Sequence, residues 1–222
     1  MYDTPAWMER FGDPGYRYHA AAARVTATTL ARLANADVLP YDHAALAAWV
    51  RRELETLSDA VNESLRVAGA ETEPTAGVMD APEPTADSGA GIRMALVEAL
   101  AAADEMEAEA RAFLVAREER LAHGQLDPGS TQRVNEALRR VGQELAPPAQ
   151  GSGQWSRNMT VISDPDNGYS ALTLPVARLA LRHGDLPGVE VALEELADGL
   201  RGATDRIRDA AIALGASTSS DR

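Results

Sequence analysis

Near the end of the 222-residue chain, Val189, Leu193, Leu196, Leu200, Ala203, Ile207, Ala210 and Leu214 fall at alternating four- and three-residue steps. That spacing is the seam of a helix packed along its length against another helix, and a strand, whose side chains alternate with a period of two, cannot use it. Asp185 stands ahead of it as a cap. A seam of this length needs partner helices, and the rest of the chain supplies them.

A first helical segment is expected from Pro14 to about Asn35, opened by Asp13-Pro14-Gly15, with Tyr18, Ala22, Val25, Thr29 and Leu33 on one face and Leu39-Pro40 as its limit. Asp42 reads as the cap of a second helix to about Ala68, striped by Leu46, Val50, Leu54, Leu57, Val61 and Leu65. The residues from Gly69 to Gly91, rich in Glu, Thr, Pro and Ala, read as a flexible linker. A third long helix follows from near Ile92 to His123-Gly124. Its inner face carries Leu96, Leu100, Ala103, Met106, Ala110, Phe113, Leu114 and Leu121, and its other face is read as acidic. Ser130 is placed to cap a shorter helix through Leu145, and Leu174 to Arg182 forms another. Ala149 to Leu172 is the one region without helical periodicity, and Gly215 to Arg222 is expected to fray. The expectation is an all-α fold, a helical bundle of four long helices plus two shorter ones, with residues 1–222 forming a single domain.

Charge limits the partners. The chain carries a formal net charge of -13, which argues against nucleic acid or an anionic membrane, since both demand a basic surface. Its apolar windows are short and Ala-rich, so no membrane span is expected. The N-terminus lacks the pattern of a signal peptide, so the expected location is cytoplasmic. There is no cysteine and no lysine, which removes thiol and Schiff-base chemistry. His19, His43, His123 and His183 are scattered without metal-ligand spacing, so no metal and no cofactor is expected. Glu194-Glu195 lies in a strongly periodic helix and reads as solvated surface.

Few residues remain as candidates for chemistry. His19, beside Asp13, could be held by a neighbouring carboxylate as an acid or base, or could be a histidine satisfied within the bundle. Asp37 is a candidate beside it, or a brace for the turn that Tyr41 and Asp42 complete. The polar loop with Arg157, Asn158, Asn167 and Tyr169 could bind an anion or could simply hydrogen-bond to the bundle. Ser152, Ser156 and Ser163 carry no mark of an activated nucleophile.

Three stretches carry a family resemblance. Tyr2-Asp3-Thr4, then Trp7 through His19 (WMERFGDPGYRYH), then Leu33 through Asp42 (LANADVLPYD) resemble the start of the transferrin receptor-like dimerisation domain of the glutamate carboxypeptidase II and transferrin receptor group. Arg157-Asn158 with Asn167-Gly168-Tyr169 and Leu174-Pro175, and the helix introduced by Gly184-Asp185, are similar to the same family in the same order. The resemblance implies a helical domain that dimerises and whose loops close over a zinc peptidase cleft. It also implies that the last zinc-ligating histidine would lie just before Tyr2-Asp3, so the zinc site and catalytic glutamate are absent from these 222 residues. Where glutamate-selective members carry a Lys-Tyr pair, this chain reads Gly168-Tyr169, without the charge.

Two functional expectations follow. The first is a non-catalytic homodimerisation or interaction module related to the C-terminal domain of zinc carboxypeptidases, with a second copy or a peptidase domain as partner. The second is a stand-alone helical-bundle enzyme or small-molecule binding protein of bacterial specialised metabolism, with its site between helices or at the dimer seam and with His19, Asp37 and Tyr169 as the residues to test for catalysis.

Overall fold

The computed structural model describes residues 4–71, 88–124, 126–146, 158–168 and 170–215. The chain divides into two compact units, Met1–Pro40 and Tyr41–Arg222. Most of the linker expected between Gly69 and Gly91, and the tail beyond Gly215, lie outside the described residues.

The first unit starts with the short helix α1 (Pro5–Trp7), which runs on into a π-helical turn, Met8–Gly12. A 3-10 turn, Pro14–Tyr16, leads into α2 (Arg17–Ala34). Gly15 and Tyr16 both take positive φ, at 74° and 55°, so the helix cannot begin at Pro14 and starts three residues later. The tyrosine is held there by its hydroxyl, which donates to the Pro5 carbonyl at 3.1 Å. The reversal brings Asp13 over the new helix start, where its carboxylate accepts from the Tyr18 amide at 3.1 Å and the His19 amide at 2.9 Å. The Nδ1–H of His19 donates to the same group at 2.5 Å. Burial pushes the Asp13 pKa up, but these three hydrogen bonds outweigh it and hold the carboxyl at about 2. At the far end the Asn35 side chain donates to the Ala31 carbonyl, so α2 stops at Ala34, well short of Pro40. None of the 18 residues of α2 is buried; its expected inner face is exposed apart from a half-buried Leu33, Tyr18 by 77% and Val25 by 67%.

The second unit is built on α3 (His43–Glu71), α4 (Ser88–Ala122), α5 (Pro128–Glu144), α6 (Pro175–Arg182) and α7 (Leu186–Leu214). All eight seam residues of α7 are buried. Opposite them α4 buries Ile92, Leu96, Ala99, Ala103, Met106, Ala110 and Phe113, which follow the same four-three rhythm. The two helices run parallel: Gly91 lies against Glu190 at one end, Arg201 reaches Glu98, and seven residues on Arg208 reaches Glu105 and Glu109. α3 runs antiparallel to α4, with Leu65 against Gly89 and Arg51 against Asp104. α5 runs antiparallel to α7, with Glu144 on Arg206. A Cβ on Gly199 would stand 3.0 Å from the Glu144 carbonyl oxygen, so the end of α5 can approach α7 this closely only because that residue has no side chain.

Several expectations on helix detail need correction. The cap of α5 is Asp127, whose carboxylate accepts from the Ser130 amide, because Pro128 then occupies the first turn where no N–H is needed. α4 begins four residues before Ile92, and Leu121 at its end is exposed. The outer face of α4 is not simply acidic. Ala90, Met94, Val97, Ala101, Ala108, Ala112 and Val115 form a second apolar line, all of it exposed. Glu98, Glu105 and Glu109 are turned aside to the arginines of α7. The non-helical stretch contains a two-stranded antiparallel hairpin, β1 (Val161–Ser163) and β2 (Ala171–Thr173), with Ile162 opposite Leu172. Three-residue strands are too short to show a period in the sequence. The class remains all-α.

The seam and the α2 start can each be tested. Leu200→Ala, at a position with no solvent exposure, should lower unfolding stability by about 2–5 kcal/mol in urea titration without changing the helical content of the folded state. Asp13 contributes stability at pH values above its ordinary 3.8, and that contribution is lost as pH falls from about 4 through about 2. The amide resonances of Tyr18 and His19 should therefore titrate with a midpoint near 2, and Asp13→Ala should abolish that step and fray the first turn of α2 at every pH.

Candidate functional site

In the first unit the structure brings His19 and Asp13 together. Asp13 is buried and ionised, half of the His19 side chain is exposed, and the Tyr16 ring packs edge-on to the imidazole at 5.6 Å. The carboxylate accepts the Nδ1 hydrogen bond, so Nε2 is the ring nitrogen left for other partners, the position a general base would use. Residues 1–40 hold no serine or cysteine, so the unit has no nucleophile of those types to pair with it. The same Asp13 contacts also fix the helix start, which accounts for the pair without chemistry. Asp37 is exposed in the turn after α2.

In the second unit the polar loop is partly described. Arg157 and Tyr169 lie outside the described residues. The side-chain oxygen of Asn158 accepts from the Thr160 amide, the Thr160 hydroxyl and the Val161 amide, which makes it the turn that starts β1. The backbone carbonyl of Asn167 accepts from the amide and hydroxyl of Ser170, closing the hairpin. Asp164 and Asp166 receive Arg182 at 3.2 and 3.3 Å, and the guanidinium holds the Asp164 carboxyl below its usual range. Glu53 of α3 accepts from Thr173 at 2.6 Å and from Arg178 at 3.1 Å, so the hairpin and α6 are tied down on the bundle. Leu174, between them, takes a left-handed conformation, with its side chain buried and its amide bonded to Thr160. The described part of this loop is thus satisfied by its own contacts.

Three buried polar atoms, His43 Nε2, Arg117 Nη1 and Arg178 Nε, have no hydrogen-bond partner among the described residues. Burial lowers the His43 pKa, with the Asp42 charge and the Leu138 backbone acting the other way. Among the described residues no group of three or more His, Asp or Glu side chains is placed to hold a metal ion. No described helix is long and apolar enough to cross a membrane.

The clearest concave feature is one that reading the sequence missed. A cavity of about 950 Å³ opens between the end of α4, the first turns of α5 and the end of α7. Four arginines line it, Arg120, Arg133, Arg140 and Arg206, against two carboxylates, Glu136 and Asp209. Its wall is therefore net positive in a chain of net charge -13. Arg140 is paired with Glu136, and Arg206 with Glu144 and Asp209. Arg133 and Arg120 have neutral partners, the Ser130 hydroxyl and the Gly124 carbonyl, and neither meets a carboxylate at ion-pair distance among the described residues. The one available signal was the seven-residue spacing of Arg133 and Arg140 on α5, which places them on one face.

No known protein-family profile matches the chain. Part of it is similar to two plant proteins. It is 36% identical over 59 residues to the Arabidopsis thaliana protein described as "Probable glutamate carboxypeptidase LAMP1", which is 27% of this chain and 9% of that protein. It is 39% identical over 56 residues to the Zea mays protein described as "Probable glutamate carboxypeptidase VP8", covering 25% of this chain and 8% of that one. The matched stretch spans less than a tenth of either relative.

Proposed function

We propose that the chain is a non-catalytic interaction and homodimerisation module related to the C-terminal part of glutamate carboxypeptidases, with residues 1–222 serving that one role. The observation that carries this reading is the bare outer face of α4. This helix is about 52 Å long by its 35 residues. One of its faces is consumed by the seam with α7, yet the opposite face carries an apolar line of its own, interrupted between Ala101 and Ala108, with Met94 and Val97 each 65% exposed and Val115 57% exposed. Alanines at 90, 101, 108 and 112 between them leave room for a second helix to approach closely. A solvated helix face has no use for such a line, whereas a two-fold interface uses the same patch on both copies. α2 supports the reading independently, since a helix of its length that buries nothing is marginal in water. The similarity to glutamate carboxypeptidases agrees with a peptidase-related context.

A second reading, a helical-bundle enzyme or small-molecule binding protein, is favoured by the arginine-lined cavity and is independent of the first. The first is tested by sedimentation. The chain should be a dimer at micromolar concentration, burying at least about 1,200 Å² in total. Val97→Glu, on an exposed position that leaves the monomer fold intact, should weaken the dimer by roughly thirtyfold or more. A strict monomer at that concentration would sink the reading.

A further inference from the structure

We propose that the cavity at the α5 start and α7 end binds a small organic acid, its carboxylate taken by Arg133 and Arg120 and its apolar body by Leu126 and Ile212. The inference deepens the small-molecule reading and does not depend on dimerisation.

Three features carry it. First, the volume of about 950 Å³ lies within the range of small-molecule sites and far exceeds what an inorganic anion needs. Second, the charge of the wall runs against that of the molecule. A surface this acidic repels anions in general, so a local excess of guanidinium groups is where an anion would settle, and the planar fork of Arg matches a carboxylate with two parallel hydrogen bonds. Arg133 and Arg120 hydrogen-bond to neutral oxygens, with the Asp127 carboxylate near Arg133 but not at ion-pair distance, while Arg140 and Arg206 are already held by carboxylates that keep the wall rigid. Third, the wall is amphipathic. Ile212 is 60% exposed although it sits on the most deeply packed helix, and Leu126 and Ala137 reach the same space. A purely electrostatic anion site has no need of an exposed isoleucine, whereas the hydrocarbon part of an organic acid would cover it.

The test is titration of the full chain with 4-phenylbutyrate, followed by amide resonances and calorimetry. Inorganic phosphate and the uncharged 4-phenylbutanol serve as the two partial probes. Saturable binding is expected, with shifts confined to residues 120–126, 128–140 and 206–215. Each partial probe should bind at least roughly tenfold more weakly, since each lacks either the apolar contact or the charge-assisted hydrogen bonds. The double variant Arg120→Gln with Arg133→Gln should lose roughly tenfold in affinity. Ile212→Asp, which changes an exposed side chain and sets a carboxylate in the cavity, should abolish binding. The proposal is overturned if 4-phenylbutyrate does not saturate, if phosphate binds as tightly, or if both variants bind like the parent chain. Sedimentation of the same samples separates the two readings: a monomer that binds the acid overturns dimerisation alone, and a dimer that does not overturns the acid site alone.

Discussion

Everything in the larger unit depends on the parallel packing of α4 on α7. About six turns of α4, from Ile92 to Phe113, meet about seven of α7, from Val189 to Leu214, through matched four-three patterns, and the energy lies in the buried Leu, Ile, Met and Phe side chains. The ion pairs along its edge, Arg201 with Glu98 and Arg208 with Glu105 and Glu109, are half exposed and contribute little to stability. Their repeat of seven does something else: it specifies register and direction, since an antiparallel arrangement would separate these partners. Because α4 and α7 are parallel, the chain between them must return to the starting end, and it does so as α5, the hairpin and α6.

That return path explains where the unusual local features sit. Gly199 lets the end of α5 lie close on α7, Leu174 turns through a left-handed conformation to start α6, and Glu53 of α3 ties hairpin and α6 together. The return path therefore leaves the arginine-lined cavity at the end where α5 begins and α7 finishes.

The seam was legible in the sequence because its period is regular over 26 residues, from Val189 to Leu214, and Asp185 and Asp42 were legible as caps for the same reason, that local hydrogen bonding decides them. The start of α2 was not, because two consecutive positive φ values are a local exception that Pro-Gly-Tyr does not announce. The hairpin was too short to show. The outer face of α4 was misread because its acidic residues stand in sequence among the alanines and valines, and only the three-dimensional placement turns Glu98, Glu105 and Glu109 toward α7 and Asp104 toward α3. Of the candidate site, His19 with Asp13 was anticipated, whereas the cavity joins residues at the ends of three helices separated by up to 95 positions, from Arg120 to Gly215, which no single-segment pattern displays.

The absence of cysteine allows the central claim, that a second copy covers the outer face of α4, to be tested at one position. A cysteine placed at Ala101 reports on that face, and one at Glu55 on an exposed face of α3 serves as control. The account predicts that alkylation at 101 slows as protein concentration rises through the dimer range while the rate at 55 stays constant. A rate at 101 that is independent of concentration, equal to that at 55 throughout, would contradict it.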